Sequence, residues 1–173
     1  MTDEQTRIRS YLTAQAAKLS PAEIVEKVRA AMDQLRGAAD GVPAARFAER
    51  PAAEEWSANE VMAHVVKAGR HFGGAIVRLL DGSSGGEVRD QLERDVARRS
   101  ASEWWVALER DRAALFARVA AADPRGALGA TVEHPFFGPL NWRETLLFMR
   151  LHDLDHAGQL QKIAVALGAA QPA

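Results

Sequence analysis

Three capping boxes confine most of this chain to helices. Ser20 with Glu23, Ser57 with Glu60, and Asn141 with Glu144 each stand three residues apart, and each pair opens a run of apolar residues at helical spacing. In such a box the first side chain accepts the backbone N–H three residues on, and the second reaches back to the N–H of the first. Pro21, directly after Ser20, suits the first helical position, where no N–H is needed. Strand-like alternation of β-branched residues is nearly absent, so helical periods dominate the chain.

Five helical segments follow from these signals. The first runs from about Asp3 to Leu19 and is only weakly apolar. The second opens at Ser20-Pro21, runs to about Ala39 and is broken by Asp40-Gly41-Val42-Pro43. The third starts around Trp56-Ser57, carries Val61, Val65, Ala68, Phe72, Ile76 and Leu79, and stops at Asp81-Gly82-Ser83-Ser84-Gly85-Gly86. The fourth lies between Val88 and Ala122 with a break near Ser100, and Asp123-Pro124-Arg125-Gly126 ends it. Ala127 to Leu140 reads as a linker with an extended patch at Thr131–Pro135. The last helix runs from Asn141 to about Leu167-Gly168 and is the longest. Short connections between such helices predict an all-α fold, a four-helix bundle with an additional N-terminal helix over residues 1–20.

The 173 residues fit one domain, 1–173, and 47% of them are hydrophobic, enough for a sizeable core. The formal net charge of -1 argues against a nucleic-acid partner held by a broad basic surface. With no cysteine, disulfides, protein thiolates and cysteine-ligated zinc are excluded. The polar start MTDEQTRIRSYL has no apolar core of a secretory signal, and no run approaches the ~20 apolar residues of a membrane span. A cytoplasmic protein without a membrane partner is the expectation.

Chemistry concentrates in HDLDHAGQL, His152 to Leu160. The core stripe of the last helix reads Trp142, Leu146, Met149, Asp153, His156, Leu160, Ile163, Leu167, and His152 borders it. Residues four apart on a helix have Cβ atoms about 5–6 Å apart, so two imidazoles can reach one ion. Polar rings on a core face are costly unless paired, and a metal is one way to pair them. Two histidines that only hydrogen-bond to backbone carbonyls are the plain alternative.

Two familiar metal patterns fail. A zincin needs His-Glu-x-x-His and a further ligand downstream, whereas Asp153 stands at the glutamate position and AGQLQKIAVALGAAQPA offers no acid or histidine. A di-iron bundle needs two Glu-x-x-His motifs and two further glutamates, and only Asp153-x-x-His156 is present. A third ligand must come from another helix. His64 lies beside Val61, Val65 and Ala68 on the apolar side of the third helix. His71, ~10.5 Å further along the axis, is the rival, and both cannot bind one ion. His64 is preferred, with His71 as a pocket or surface residue and His134 as a loop histidine, or one at the pocket mouth, rather than a ligand. Three imidazoles with one open position form the pattern of a catalytic metal site.

Trp56-Ser57 leading into the helix of His64, together with HPFFGPLNWRETLLFMRLHDLDHAGQLQKI, resembles the DinB-like (DinB/YfiT) superfamily over about Pro21 to Leu167. The resemblance implies a four-helix bundle, typically with left-handed crossover topology. It implies a divalent metal, usually zinc or nickel, on one histidine of the second bundle helix and two of the last, here His64, His152 and His156. Related proteins are metal-dependent transferases or isomerases that use bacillithiol, mycothiol or glutathione, and are often homodimers. A low-molecular-weight thiol brought by a cosubstrate agrees with the absence of cysteine, because a metal lowers the pKa of a bound thiol. The alternative is a non-catalytic metal- or small-ligand-binding stress-response module.

Around the histidines, Asp153 is a candidate acceptor for a ligand's second ring nitrogen, and Gln159 a pocket or core residue. Asp155 and Arg150 read as surface residues, and Trp56, Trp104, Trp105 and Trp142 as packing residues. Phe136-Phe137 suit a cover over the pocket or a dimer contact. No catalytic residue is assigned, and the substrate is a small molecule of unstated identity.

Overall fold

The computed structural model describes residues 2–88, 93–94 and 96–168. Among the described residues five helices carry the fold: α1 (Asp3–Lys18), α2 (Pro21–Asp40), α3 (Ala58–Leu80), α4 (Ala101–Ala120) and α5 (Trp142–Ala166). Between α4 and α5 lie two short strands, β1 (Val132–His134) and β2 (Gly138–Leu140). A single 3-10 turn, Ala44–Arg46, interrupts the path from α2 to α3.

Every one of the five helices begins with a complete capping box. The three read from the sequence are formed, and Thr2 with Gln5 and Ser100 with Glu103 add two more. Each box satisfies donors that the first turn would otherwise leave without partners. The Ser100 box explains the break expected near that residue. The helix occupies only Ala101–Ala120, and residues 96–100 are non-helical. The expected helical stretch at 89–92 and 95 lies outside the described residues.

α5 is the central element. It packs against α1, α2 and α3, while α4 packs on α3 and α2. Trp142, Leu146, Leu147, Met149 and Leu160 of α5 are wholly buried, together with Ile24 and Leu35 of α2 and Val61, Met62 and Ile76 of α3. Each fully buried large aliphatic side chain contributes about 1.5–3 kcal/mol of transfer free energy. α1 is attached to this core by Leu12, also wholly buried. Its polar face is tied down too: Thr13 donates to Glu144 Oε1 at 2.9 Å, and Arg9 pairs with the same carboxylate at 3.1 Å.

The expected linker at 127–140 is partly a hairpin. β1 and β2 pair antiparallel, with Val132 opposite Leu140 and His134 opposite Gly138. Gly138 takes a φ of 69°, a left-handed backbone that glycine adopts without strain. The loop after α3 adds a third line of backbone bonds, Val88 N–H to Glu133 O at 2.9 Å and Glu133 N–H to Gly86 O at 3.1 Å. No helix among the described residues is long and apolar enough to cross a membrane.

Candidate metal centre

α3 and α5 place His64, His152 and His156 side by side. The capping box at Ser57 starts α3 so that His64 falls among Val61, Val65 and Ala68 and turns inward. The three rings are 5%, 7% and 9% exposed. Their centroids lie 4.4–5.3 Å apart. His64 Nε2 and His152 Nε2 stand 3.3 Å apart, and one ligand atom from each of the three residues falls within 4.8 Å of the others. Two nitrogens bound to one tetrahedral zinc at about 2.0–2.1 Å are about 3.3–3.4 Å apart. The spacing of this pair therefore suits a shared ion without rearrangement of the helices.

One of the three donors, His156, is held in the form that binds a metal. Burial, and then the neighbouring His152, push the His156 pKa down to about 4, so that the ring is neutral near pH 7. Neutral imidazole is the form that coordinates a metal. His156 Nδ1 lies 2.9 Å from Gln159 Oε1. An N–H on Nδ1 donated to that oxygen leaves the Nε2 lone pair facing the cluster. Gln159, one turn beyond His156, thus orients a cluster histidine.

Asp153 has a different neighbour from the one expected. Its carboxylate is wholly buried and lies 3.9 Å from His152 Nδ1, beyond hydrogen-bonding distance. Both oxygens instead accept from Arg112 Nη2 of α4, at 2.9 and 3.1 Å. Arg112 is only 2% exposed. A buried carboxylate next to a cluster histidine is therefore held by an arginine from a third helix. Sequence reasoning missed Arg112. Its signal was present, because Arg112 interrupts the apolar stripe Trp104, Leu108, Leu115, Val119 at the same helical spacing.

Aromatic rings wall the cluster. Trp56 is half-buried and meets His64 edge-on at 5.2 Å, so it serves the site as well as the packing. Phe72 meets His152 edge-on at 5.5 Å. His134, expected as a loop histidine, belongs to β1 and is buried. It stacks on Phe137 at 4.6 Å, meets Phe148 at 4.4 Å, and accepts the Phe136 N–H on Nδ1. Phe137 is buried in this stack while Phe136 is exposed. His71 is exposed on the far turn of α3, with Nε2 3.4 Å from Glu87 O, and takes no part in the cluster. Asp155 is exposed as expected. Arg150 is not a solvated surface arginine: it is half-buried and donates to the Tyr11 hydroxyl at 3.0 Å, joining α5 to α1.

Of the larger cavities, one of about 370 Å³ opens directly on His64. An apolar groove of about 550 Å³ between α2 and α4, beside Phe116, is lined by none of the three histidines.

The sequence profile of the DinB superfamily matches residues 27–160. The chain is also similar to TT2238, a solved four-helix bundle protein, at 25% identity over 83% of this chain and 99% of that one, with a TM-score of 0.64. No curated protein matches it.

Proposed function

The chain belongs to the DinB superfamily, and from that premise we propose that it is a divalent-metal-dependent enzyme, a low-molecular-weight-thiol S-transferase of the bacillithiol, mycothiol or glutathione type. The observation that supports this reading is the buried cluster of three imidazoles, two of them at the nitrogen spacing of a shared ion. His64, His152 and His156 would hold zinc or nickel, which suit an all-imidazole donor set. When bound, the metal supplies Lewis acidity that favours the thiolate form of a thiol cosubstrate.

The chain's own residues do the rest. Gln159 fixes the tautomer of His156. Arg112 holds the Asp153 carboxylate in place beside His152, 3.9 Å from its Nδ1. Trp56 and Phe72 pack edge-on against His64 and His152 and hold those rings in place. The chain has no cysteine to compete for the metal or the electrophile. A small-molecule substrate, a cytoplasmic setting and a homodimer belong to the same reading, with exposed Phe136 and Val106 as apolar surface available for assembly.

A non-catalytic metal-binding module is the second reading, and the burial of all three imidazoles favours it. The experiment is thiol-dependent consumption of an activated aryl halide by zinc- or nickel-loaded protein, with bacillithiol, mycothiol and glutathione supplied in turn. Metal-dependent turnover with one of them, abolished by a chelator and by His152→Ala, is the expected result. Stoichiometric metal with no turnover on any thiol would leave the binding module.

A further inference from the structure

The cavity that opens on His64 has a charged mouth. Its floor is His64 of α3 and Trp104 of α4, both buried, and its rim carries Lys67, Arg70, Arg99 and Glu93, all exposed. Three cations thus face one carboxylate. Lys67 is paired with Glu93, and Arg70 binds Asp111 outside the cavity at 2.5 Å. Arg99 has no acidic hydrogen-bond partner among the described residues. Its guanidinium lies over the Trp104 ring at 4.8 Å, and its charge acts on Glu103, whose carboxylate is engaged by Ser100.

Arg99 is also held in place. Asn59, buried at the start of α3, accepts the Arg99 backbone N–H at 3.0 Å and the Trp104 indole N–H at 2.9 Å, and donates to Ala97 O at 3.2 Å. One side chain thereby fixes the backbone of Arg99 and the ring beneath its guanidinium. Along α3, Lys67 stands ~4.5 Å and Arg70 ~9 Å beyond His64 by helical rise. Positive charge therefore begins about one turn from a cluster nitrogen. A volume of about 370 Å³ falls within the range of small-molecule sites.

We infer that this cavity binds the thiol cosubstrate through a carboxylate, with Arg99 over Trp104 as the main anchor, Lys67 and Arg70 as supporting charges, and the sulfur directed toward His64. The inference rests on the thiol-dependent reading above. It narrows the cosubstrate to thiols that carry a carboxylate several bonds from sulfur. On binding, the thiol proton passes to solvent and the carboxylate is already ionised. Planar guanidinium matches carboxylate geometry better than ammonium does, which is why Arg99 carries the selectivity. Glu93 competes with the ligand for Lys67.

The test uses the full chain loaded with cobalt(II), titrated with glutathione and with glutathione diethyl ester, and followed by the sulfur-to-cobalt charge-transfer band. Glutathione should bind ~10-fold more tightly than the ester, and Arg99→Gln should reduce that preference to about 2-fold, with Arg99→Lys intermediate. Glu93→Gln should act in the opposite direction, strengthening glutathione about 2- to 3-fold and leaving the ester unchanged. Added salt should erode the preference, because the rim is exposed. If both thiols produce the band with equal affinity, and the three variants change neither, the carboxylate site is overturned while the thiol reading stands. If neither thiol produces the band, the thiol reading fails and this inference with it.

Discussion

Glu60 and Asp153 are both buried carboxylates held by an arginine, and each stands within one helical turn of a cluster histidine. Their surroundings differ. Glu60 opens α3 four residues before His64. It accepts from the Ser57 backbone N–H and hydroxyl, both at 2.9 Å, and from Arg50 Nε at 3.0 Å. Arg50 is about one-third exposed, so that pair touches water. Asp153 follows His152 in the middle of α5, and neither it nor Arg112 reaches solvent. Arg112 Nε and Nη1 have no hydrogen-bond partner among the described residues. The first pair completes a helix start, for which local sequence is sufficient. The second places two charges in a core that hydrocarbon could fill, at a cost in desolvation. A costly arrangement one residue from the histidine cluster is best explained by what it does for that cluster.

The largest expected effect comes from breaking the buried pair. Arg112→Met should cost about 3–5 kcal/mol, read by urea denaturation, because it leaves the Asp153 charge buried alone. Replacing both partners, Arg112→Met with Asp153→Leu, should recover most of that stability while weakening zinc by about 10- to 100-fold, the usual effect of removing a group that supports metal ligands. Full stability with unchanged zinc affinity in the double variant would reduce the pair to a packing feature.

Next in size is the pH response of the pair that touches water. Chiefly through its bond to Arg50, the Glu60 pKa is lowered from 4.5 to about 2. A carboxylate with a depressed folded-state pKa stabilises the fold above its unfolded value. That contribution is complete above about pH 4.5 and is lost as the pH falls toward 2. Glu60→Gln should therefore cost about 1–3 kcal/mol at pH 7 and flatten the stability profile between those limits. A variant that keeps the same acid limb would place that limb on other groups.

The smallest effects belong to the caps. Ser57→Ala should cost about 1–2 kcal/mol and Ser20→Ala about 0.5–1 kcal/mol by thermal denaturation. Ser57 is buried with Glu60, whereas the Ser20 box is exposed to water. Equal losses would show that burial adds nothing to the cap.

These differences also explain how much of the molecule was legible in the sequence. A capping box is written within four residues, so the helix starts at Ser20, Ser57 and Asn141 could be read directly. The inward position of His64, His152 and His156 follows from helical period and apolar neighbours, which are local properties too. Their meeting across α3 and α5 is tertiary; the failure of His152 and His156 to find a third ligand on their own helix, together with the apolar side of α3, pointed to His64, and the family resemblance agreed. The hairpin was hidden because Val132-Glu133-His134 is too short to show a period and is completed by backbone bonds to Gly86 and Val88, more than forty residues earlier. The partnership of Arg112 with Asp153 joins α4 to α5 across the core. A charged residue on an apolar stripe signals that a partner exists, but does not say which. His134 was misread for a similar reason, since the Phe137 and Phe148 rings that bury it come from β2's approach and from α5.

The central claim is that His64, His152 and His156 share one divalent ion. The most direct measurement is metal content by elemental analysis of untagged protein, beside His64→Ala and His156→Ala, each after incubation with zinc or nickel. The account predicts about one ion per chain in the parent protein and its loss in both variants. A full complement of metal in either variant, or none in the parent after reconstitution, would contradict it.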